Sequence, residues 1–279
     1  MKKSLLLAVT ALVAALVTAG CATLDNKQRE WIFQPSNKSW GGAQATDDMQ
    51  DVWIAFDSKE TGQPERLHGL WLPHPRADAP VLLYLHGARW NVAGSSARMR
   101  RMQALGFSVL GIDYRGFGQS SAGLPSEATA TEDAHAAWQW LATQHPGQAR
   151  YIFGHSLGGA VAINLASEVE DEQGTLVEGT FTSIADVVRS FKWGWLPVSG
   201  LITQRFESVR KVARIGSPLL VVHGSNDSLI DARLGRQLYE AAAQPKQFVL
   251  VEGGSHYNTN AVGSPLYRDA VASLFKLRY

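Results

Sequence analysis

Cysteine is almost absent from this chain. A single one, Cys21, stands among 279 residues, which rules out a disulfide framework and any cysteine-rich zinc site. Net charge is almost absent too: 26 basic against 25 acidic side chains leave +1. No long-range field therefore draws nucleic acid, and no run of basic residues forms a local patch that could substitute for one. No apolar run is long enough to span a bilayer. The longest, Leu5 to Ala19, rises at about 1.5 Å per residue and falls short of a hydrocarbon core about 30 Å thick. Internal repeats, low-complexity tracts and dividing linkers are likewise missing. What is there, 45% hydrophobic and 18% charged residues, is ordinary globular composition and excludes disorder, collagen and a coiled coil. The length suits a single mixed sheet-and-helix unit, which commonly reaches about 250 residues.

The short apolar run follows Lys2 and Lys3 and reads as a signal peptide over residues 1–20. It ends in Val17-Thr18-Ala19-Gly20-Cys21, which resembles the lipobox of bacterial lipoproteins, with Thr18 departing from the usual Leu, Val or Ile. The resemblance implies that Cys21 becomes a lipidated N-terminus, and two or more acyl chains anchor a protein stably where one does not. Cleavage by ordinary signal peptidase near Ala19 to Ala22 is the alternative, and a buried, inert cysteine is the plain one. Ala22, in place of the aspartate that signals inner-membrane retention, favours the outer membrane facing the periplasm. The expected address is the bacterial cell envelope, with the membrane as a partner through Cys21.

Residues 21–50 are expected to form a tether and N-terminal segment, and residues 51–279 one folded domain. Two β-like runs, Val52 to Phe56 and Leu67 to Leu72, flank a turn-rich stretch and predict an antiparallel pair. Val81 to Leu85 is continuously apolar between Pro80 and Gly87, as expected of a central strand covered on both faces. Helices and strands then alternate: helix about Ser96 to Leu105, strand Val109 to Ile112, helix Thr131 to Thr143, strand Tyr151 to Phe153 and helix Leu157 to Glu168. Strands Leu176 to Phe181, Leu219 to Val222 and Gln247 to Val251 follow, with helices near Ala232 to Ala243 and Leu266 to Leu277. This rhythm predicts an α/β fold, a doubly wound and mostly parallel sheet. About Asp186 to Arg214 the rhythm breaks, and a small cap insertion is expected there.

The chemistry concentrates where strand Tyr151 to Phe153 runs into Gly154-His155-Ser156-Leu157-Gly158-Gly159 and a helix. A serine on such a sharp turn needs neighbours without Cβ, and the turn lifts its Oγ above the sheet edge, beside the N–H groups of a helix N-terminus. The plain alternative is a glycine-rich turn with an incidental serine. A hydroxyl is a poor nucleophile at neutral pH and needs a base, itself held by a third group. Of eight histidines, His256 follows the last expected strand on a glycine-rich loop and is the candidate base. His86 and His223 end strands and suit structural roles; His155 sits inside the turn, pointing away from Oγ; His68, His74, His135 and His145 suit solvated or packing roles. Asp227, past the strand of Leu219 to Val222, is the candidate acid; Asp186 competes for the role and Asp231 is better placed to cap the next helix. Leu157 supplies one oxyanion N–H by position. For the second, the loop after Leu85 offers Ala88, with Arg89 as the fallback. Trp90 either walls an acyl pocket or packs as core.

Taken together, Leu85-His86-Gly87, Ile112 to Ser120, Pro125-Ser126-Glu127, Gly154 to Gly159, His223 to Asp227 and Gly254-Ser255-His256 resemble the α/β-hydrolase family over nearly all of the mature length. The nearest type is the serine hydrolases called BEM46-like or ABHD13-like, also described as prolyl-oligopeptidase-like or lysophospholipase-like. The resemblance implies Ser156 as nucleophile, Asp227 as acid and His256 as base. The type usually has an asparagine where this chain has Ala88, so Arg89-Trp90-Asn91 puts a cation and an indole beside the reacting centre.

The expected function is carboxylic ester hydrolysis through an acyl-enzyme, with a small-molecule acyl ester as substrate and no cofactor and no metal. Phe191, Trp193 and Trp195 suit either an apolar acyl group or simple packing of the cap. Peptidase or amidase chemistry uses the same machinery. A catalytically silent envelope binding module is the reading from another class.

Overall fold

The computed structural model describes residues 19–36, 45–191 and 199–277. The expected signal peptide, apart from residues 19 and 20, lies outside that range, as do Trp193 and Trp195. Eight strands form one sheet in the order β1-β2-β4-β3-β5-β6-β7-β8: β1 (Gln50–Asp57), β2 (Pro64–Leu72), β3 (Val81–Leu85), β4 (Ser108–Ile112), β5 (Arg150–His155), β6 (Glu172–Glu178), β7 (Leu219–Gly224) and β8 (Lys246–Val251). β1 with β2 and β2 with β4 run antiparallel, and every later pairing is parallel.

The central strand shows why the apolar run had to be unbroken. Val81, Leu83 and Leu85 face one core and Leu82 and Tyr84 the other, because successive side chains point to opposite sides of a sheet. Helices cover both faces: α1 (19–33), α2 (Ser96–Gln103), α3 (Glu127–Gln144), α4 (Leu157–Ala166), α5 (Ile184–Ser190), α6 (Ser208–Lys211), α7 (Ala232–Ala241), α8 (Thr259–Val262) and α9 (Ser264–Phe275). α3 starts at a reciprocal cap in which Thr129 N–H donates to Ser126 Oγ (3.1 Å) and Ser126 N–H to Thr129 Oγ1 (2.8 Å).

β6 ends earlier than its apolar pattern suggests. Gly179 takes a left-handed φ of 56°, which turns the chain out of the sheet, and Thr180 to Ser183 become the approach to α5. The break in rhythm between β6 and β7 holds α5, short 3₁₀ turns at Ser199–Leu201 and Val212–Arg214, and α6. The segment expected as a tether contains α1, whose last turn packs on the domain: Phe33 is fully buried, its ring 5.9 Å from that of Phe206. Polar ties reinforce it, with Arg29 Nε–H donating to the Pro125 carbonyl (3.0 Å) and Gln28 Nε2–H to the Leu201 carbonyl (2.7 Å).

The parallel strands present their C-terminal ends along one edge, and the chain leaves those ends into short loops. An open α/β sheet builds its crevice there.

Candidate active site

Ser156 joins β5 to α4 with φ 56° and ψ −121°. A non-glycine residue held in so sparsely populated a region costs about 1–3 kcal/mol, supplied by the surrounding structure. Two glycines permit it. A Cβ at Gly154 would run into the Gly158 carbonyl, and one at Gly158 into the carbonyls of Leu85 and His86 at the end of β3. Backbone bonds then fix the turn: Ser156 N–H donates to the Glu178 carbonyl (2.9 Å), and Thr180 Oγ1–H to the Ser156 carbonyl (2.8 Å).

The loops after β7 and β8 bring the other two candidates in. His256 Nε2 lies 2.9 Å from Ser156 Oγ, and His256 Nδ1 lies 2.8 Å from Asp227 Oδ2. A carboxylate only accepts, so Nδ1 carries the proton and Nε2 is left to accept from the serine hydroxyl. Asp227 is itself held, its Oδ1 accepting from the N–H groups of Leu229 (2.9 Å) and Ile230 (2.8 Å). Burial alone would raise its pKa. Hydrogen bonding from His223 and His256, the favourable electrostatics of the His256 ring and the Ile230 N–H outweigh burial and keep the carboxyl well below its ordinary value. His223 Nε2–H donates to the Ile230 carbonyl (2.9 Å), closing the turn that carries Asp227.

The competing residues are occupied elsewhere. Asp186 accepts from the hydroxyls of Thr182 and Ser183, each at 2.7 Å, at the start of α5. Asp231 caps α7 by accepting from Arg233 N–H (2.9 Å). His86 Nδ1–H donates to the Gly87 carbonyl (2.7 Å), bracing the loop after β3. His68 is buried between Asp51 (2.6 Å) and Asp113 (3.2 Å). His155 does turn away from Oγ, and its Nε2–H donates to the His256 carbonyl (3.0 Å).

Of the oxyanion candidates, Leu157 is the first residue of α4, where backbone N–H groups have no partner within the helix. In the loop after β3, Arg89 N–H is taken by the Phe33 carbonyl of α1 (2.9 Å). That removes the fallback and leaves Ala88 as the candidate in that loop. Arg89 and Trp90 both sit in left-handed backbone, φ 68° and 61°. The Arg89 side chain is tied as well, its Nε–H donating to Gln34 Oε1 (2.9 Å). Sequence reasoning missed this use of α1, since nothing local in residues 19–34 points to a loop more than fifty residues away.

Ser156 and His256 open into a cavity of about 550 Å³. Phe181, Ile184, Val187 and Leu229 give it an apolar side, and Trp90 and Phe191 also line it. Arg89 and Arg101 border it too, and among its described lining residues none is acidic.

The family described as "Serine aminopeptidase, S33" matches residues 76–211. An uncharacterised protein of Mycobacterium tuberculosis is 32% identical over 97% of this chain and 95% of its own length. The lysophosphatidylserine lipase ABHD12 of Danio rerio is 36% identical over 60% of this chain and 48% of its own length, so this chain spans about half of that relative. Among solved structures, the Pyrococcus furiosus esterase Pf2001 superposes with a TM-score of 0.67 at 18% identity, covering 87% of this chain and 98% of that one. The chain belongs to the α/β-hydrolase family and is a hydrolase of esterase-like construction.

Proposed function

We propose that this protein hydrolyses carboxylic esters through an acyl-enzyme. Ser156 Oγ attacks the ester carbonyl carbon while His256 Nε2 takes its proton, and the carbonyl oxygen becomes an oxyanion facing the N–H groups of Leu157 and Ala88. The tetrahedral intermediate collapses by breaking the bond to the alcohol oxygen, to which His256 returns the proton. Water then repeats the sequence on the acyl-serine, freeing the acid and restoring the hydroxyl. Asp227 stays ionised throughout and holds the imidazole in the tautomer that leaves Nε2 open. The observation that carries this reading is the continuous chain from Asp227 through His256 to Ser156, with links of 2.8 and 2.9 Å.

The cavity suits an amphiphile. Its apolar side matches an acyl chain, and Arg89 and Arg101 match an anionic group. Lysophosphatidylserine, the substrate in the name of one relative, has that character. Cys21, exposed at the start of α1, is the proposed lipid attachment, holding the enzyme in the cell envelope on the periplasmic side of the outer membrane. The family's description as a serine aminopeptidase favours amide hydrolysis as a second reading.

Fluorophosphonate labelling followed by peptide mapping tests the first step: the expected adduct is on Ser156, lost in Ser156→Ala. No adduct on folded wild type would end the catalytic reading. A panel of p-nitrophenyl esters of rising chain length, beside aminoacyl amides, separates ester from amide hydrolysis. Metabolic labelling with an alkyne fatty acid, lost in Cys21→Ser, tests the anchor.

A further inference from the structure

His256 rides on a loop after β8, the edge strand of the sheet, with Gly253 in left-handed backbone (φ 73°) and Gly254 just before it. The loop is tied on either side of the base, with Gly253 N–H donating to Ser225 Oγ (2.9 Å), Asn226 N–H to the Gly254 carbonyl (2.8 Å) and Ser255 N–H to Asn258 Oδ1 (2.7 Å), but none of these bonds touches residues 256 or 257. Yet proton transfer needs the imidazole within hydrogen-bond reach of Ser156, and a displacement of about 1 Å can cost about 10²-fold in rate.

The structure holds residues 256 and 257 by their carbonyls. His155 Nε2–H donates to the His256 carbonyl (3.0 Å), and Arg98 Nη2–H donates to the Tyr257 carbonyl (3.2 Å). Arg98 is anchored on Glu178, at the C-terminal end of β6 and with a side chain 1% exposed, and the neutral His155 ring packs beside the same carboxylate. Arg98 Nε lies 3.1 Å from its Oε1, and His155 Nε2 lies 3.9 Å from the same oxygen. The Tyr267 hydroxyl donates to Oε2. Glu178 also reaches the nucleophile, because its own carbonyl accepts the Ser156 N–H (2.9 Å). One residue thus connects the turn carrying the hydroxyl to the loop carrying the base.

Each partner has a single available state. Burial, then the Arg98 charge and the neighbouring His256, push the His155 imidazole well below its ordinary pKa, so it is neutral and donates through Nε2 alone. Arg98 has a rigid planar fork that can meet a carboxylate on one side and a carbonyl on another. A buried arginine–carboxylate pair is weak evidence for stability as such, since its desolvation cost can match its attraction. Its value here lies in where the arms end.

We propose that Glu178, Arg98 and His155 are positioning residues that clamp the main chain of residues 256 and 257, keeping His256 at proton-transfer distance from Ser156. This rests on the ester-hydrolase reading given above, and its test separates the two. The triple variant Arg98→Met, Glu178→Leu, Tyr267→Phe removes the arginine, its carboxylate and the tyrosine hydroxyl together, leaving no orphaned charge, and such replacements are often neutral for folding. It should melt within a few degrees of wild type, roughly the spread of a neutral substitution. Its kcat on p-nitrophenyl acetate and its fluorophosphonate labelling rate should fall about 10²-fold, with KM changed less than about 2-fold. A folded triple variant with wild-type kcat overturns the clamp.

Should the triple variant fail to fold, His155→Leu and His155→Gln decide instead. The first removes the donor to the His256 carbonyl and should be slow; the second restores an N–H there and should recover part of the rate. Wild-type kcat in His155→Leu overturns the proposal. Amide hydrogen exchange at residues 255–258 reads the clamp without turnover: exchange should quicken about 10-fold in His155→Leu, since losing one hydrogen bond is worth about a factor of ten. Unchanged exchange overturns the clamp whatever the activity. An inert wild type with quickened exchange in the variant ends the hydrolase reading and leaves the clamp standing.

Discussion

Arg98 and Arg115 are both drawn out of water onto carboxylates, yet they tie different kinds of chain together. Arg115 lies among Asp133 (2.6 Å), Glu132 (2.6 Å), Ser58 Oγ (2.8 Å) and the Thr129 carbonyl (3.2 Å). These partners belong to α3 and to the turn after β1, none of them is bonded to Ser156, Asp227 or His256, and they lock a helix to the sheet edge. Arg98 meets one carboxylate and then a carbonyl in the loop that carries His256. The same guanidinium chemistry therefore serves rigidity in one region and alignment in the other. What decides the role is which segment carries the far end of the hydrogen bond: a helix in one case, the loop of the candidate base in the other.

The largest effect that calibrates this contrast should come from Asp227→Asn, which touches the base itself. Turnover of p-nitrophenyl esters is expected to fall about 10⁴-fold, because an amide can favour the wrong imidazole tautomer. A loss under about tenfold would mean that the main-chain clamp alone orients His256. Next in size is Arg115→Met. It strands Asp133 in the core with a fully buried side chain, and urea unfolding should show a loss of about 3–5 kcal/mol. kcat per folded molecule should stay at wild type. A kcat as low as that of the Arg98 variants would erase the difference between the two regions.

A smaller effect concerns pH. The folded pKa of His155 lies below its unfolded value of about 6.5, so below that pH the unfolded chain binds more protons than the native one. The associated stability is fully present above about pH 6.5 and is lost as pH falls. Unfolding titrations at pH 7.5 and 5.5 should show wild type losing about 1 kcal/mol more than His155→Gln between the two. Equal losses would mean that His155 accepts a proton without leaving its partner. Gln34→Ala should have the smallest effect, about 3-fold in kcat. Arg89 loses one side-chain tie but keeps its bond to the Phe33 carbonyl, and a single exposed hydrogen bond contributes about 1 kcal/mol or less. An effect near 10²-fold would make α1 a full part of the oxyanion loop's support.

Much of this site was legible along the chain because each of its parts announces itself locally. Gly154 to Gly159 after an apolar run is a strand-to-helix turn whatever surrounds it. Asp227 and His256 each stand a few residues past an apolar strand, and parallel strands bring those ends to one edge. Glu178 and Arg98 carried no such signal. Glu178 falls inside the expected strand Leu176 to Phe181, Arg98 looks like a charge on a helix surface, and the two partners of Arg98 lie 80 and 159 positions away. α1 was equally opaque: read in sequence, residues after Cys21 look like spacer, and only packing shows Phe33 in the core and its carbonyl on Arg89.

The chain by itself determined the alternation of strands and helices and the strand-to-helix turn that carries Ser156. Periodic burial and the steric needs of glycine are properties of neighbouring residues. The tertiary structure alone decided which of several histidines and aspartates meet, and that Asp186 takes the hydroxyls of Thr182 and Ser183 at the start of α5 while Asp227 faces an imidazole. It also decided that a buried glutamate joins the nucleophile's turn to the base's loop. Those outcomes depend on distances between segments far apart in sequence, and distance in space is set only when the sheet has closed its order and the loops have packed against it.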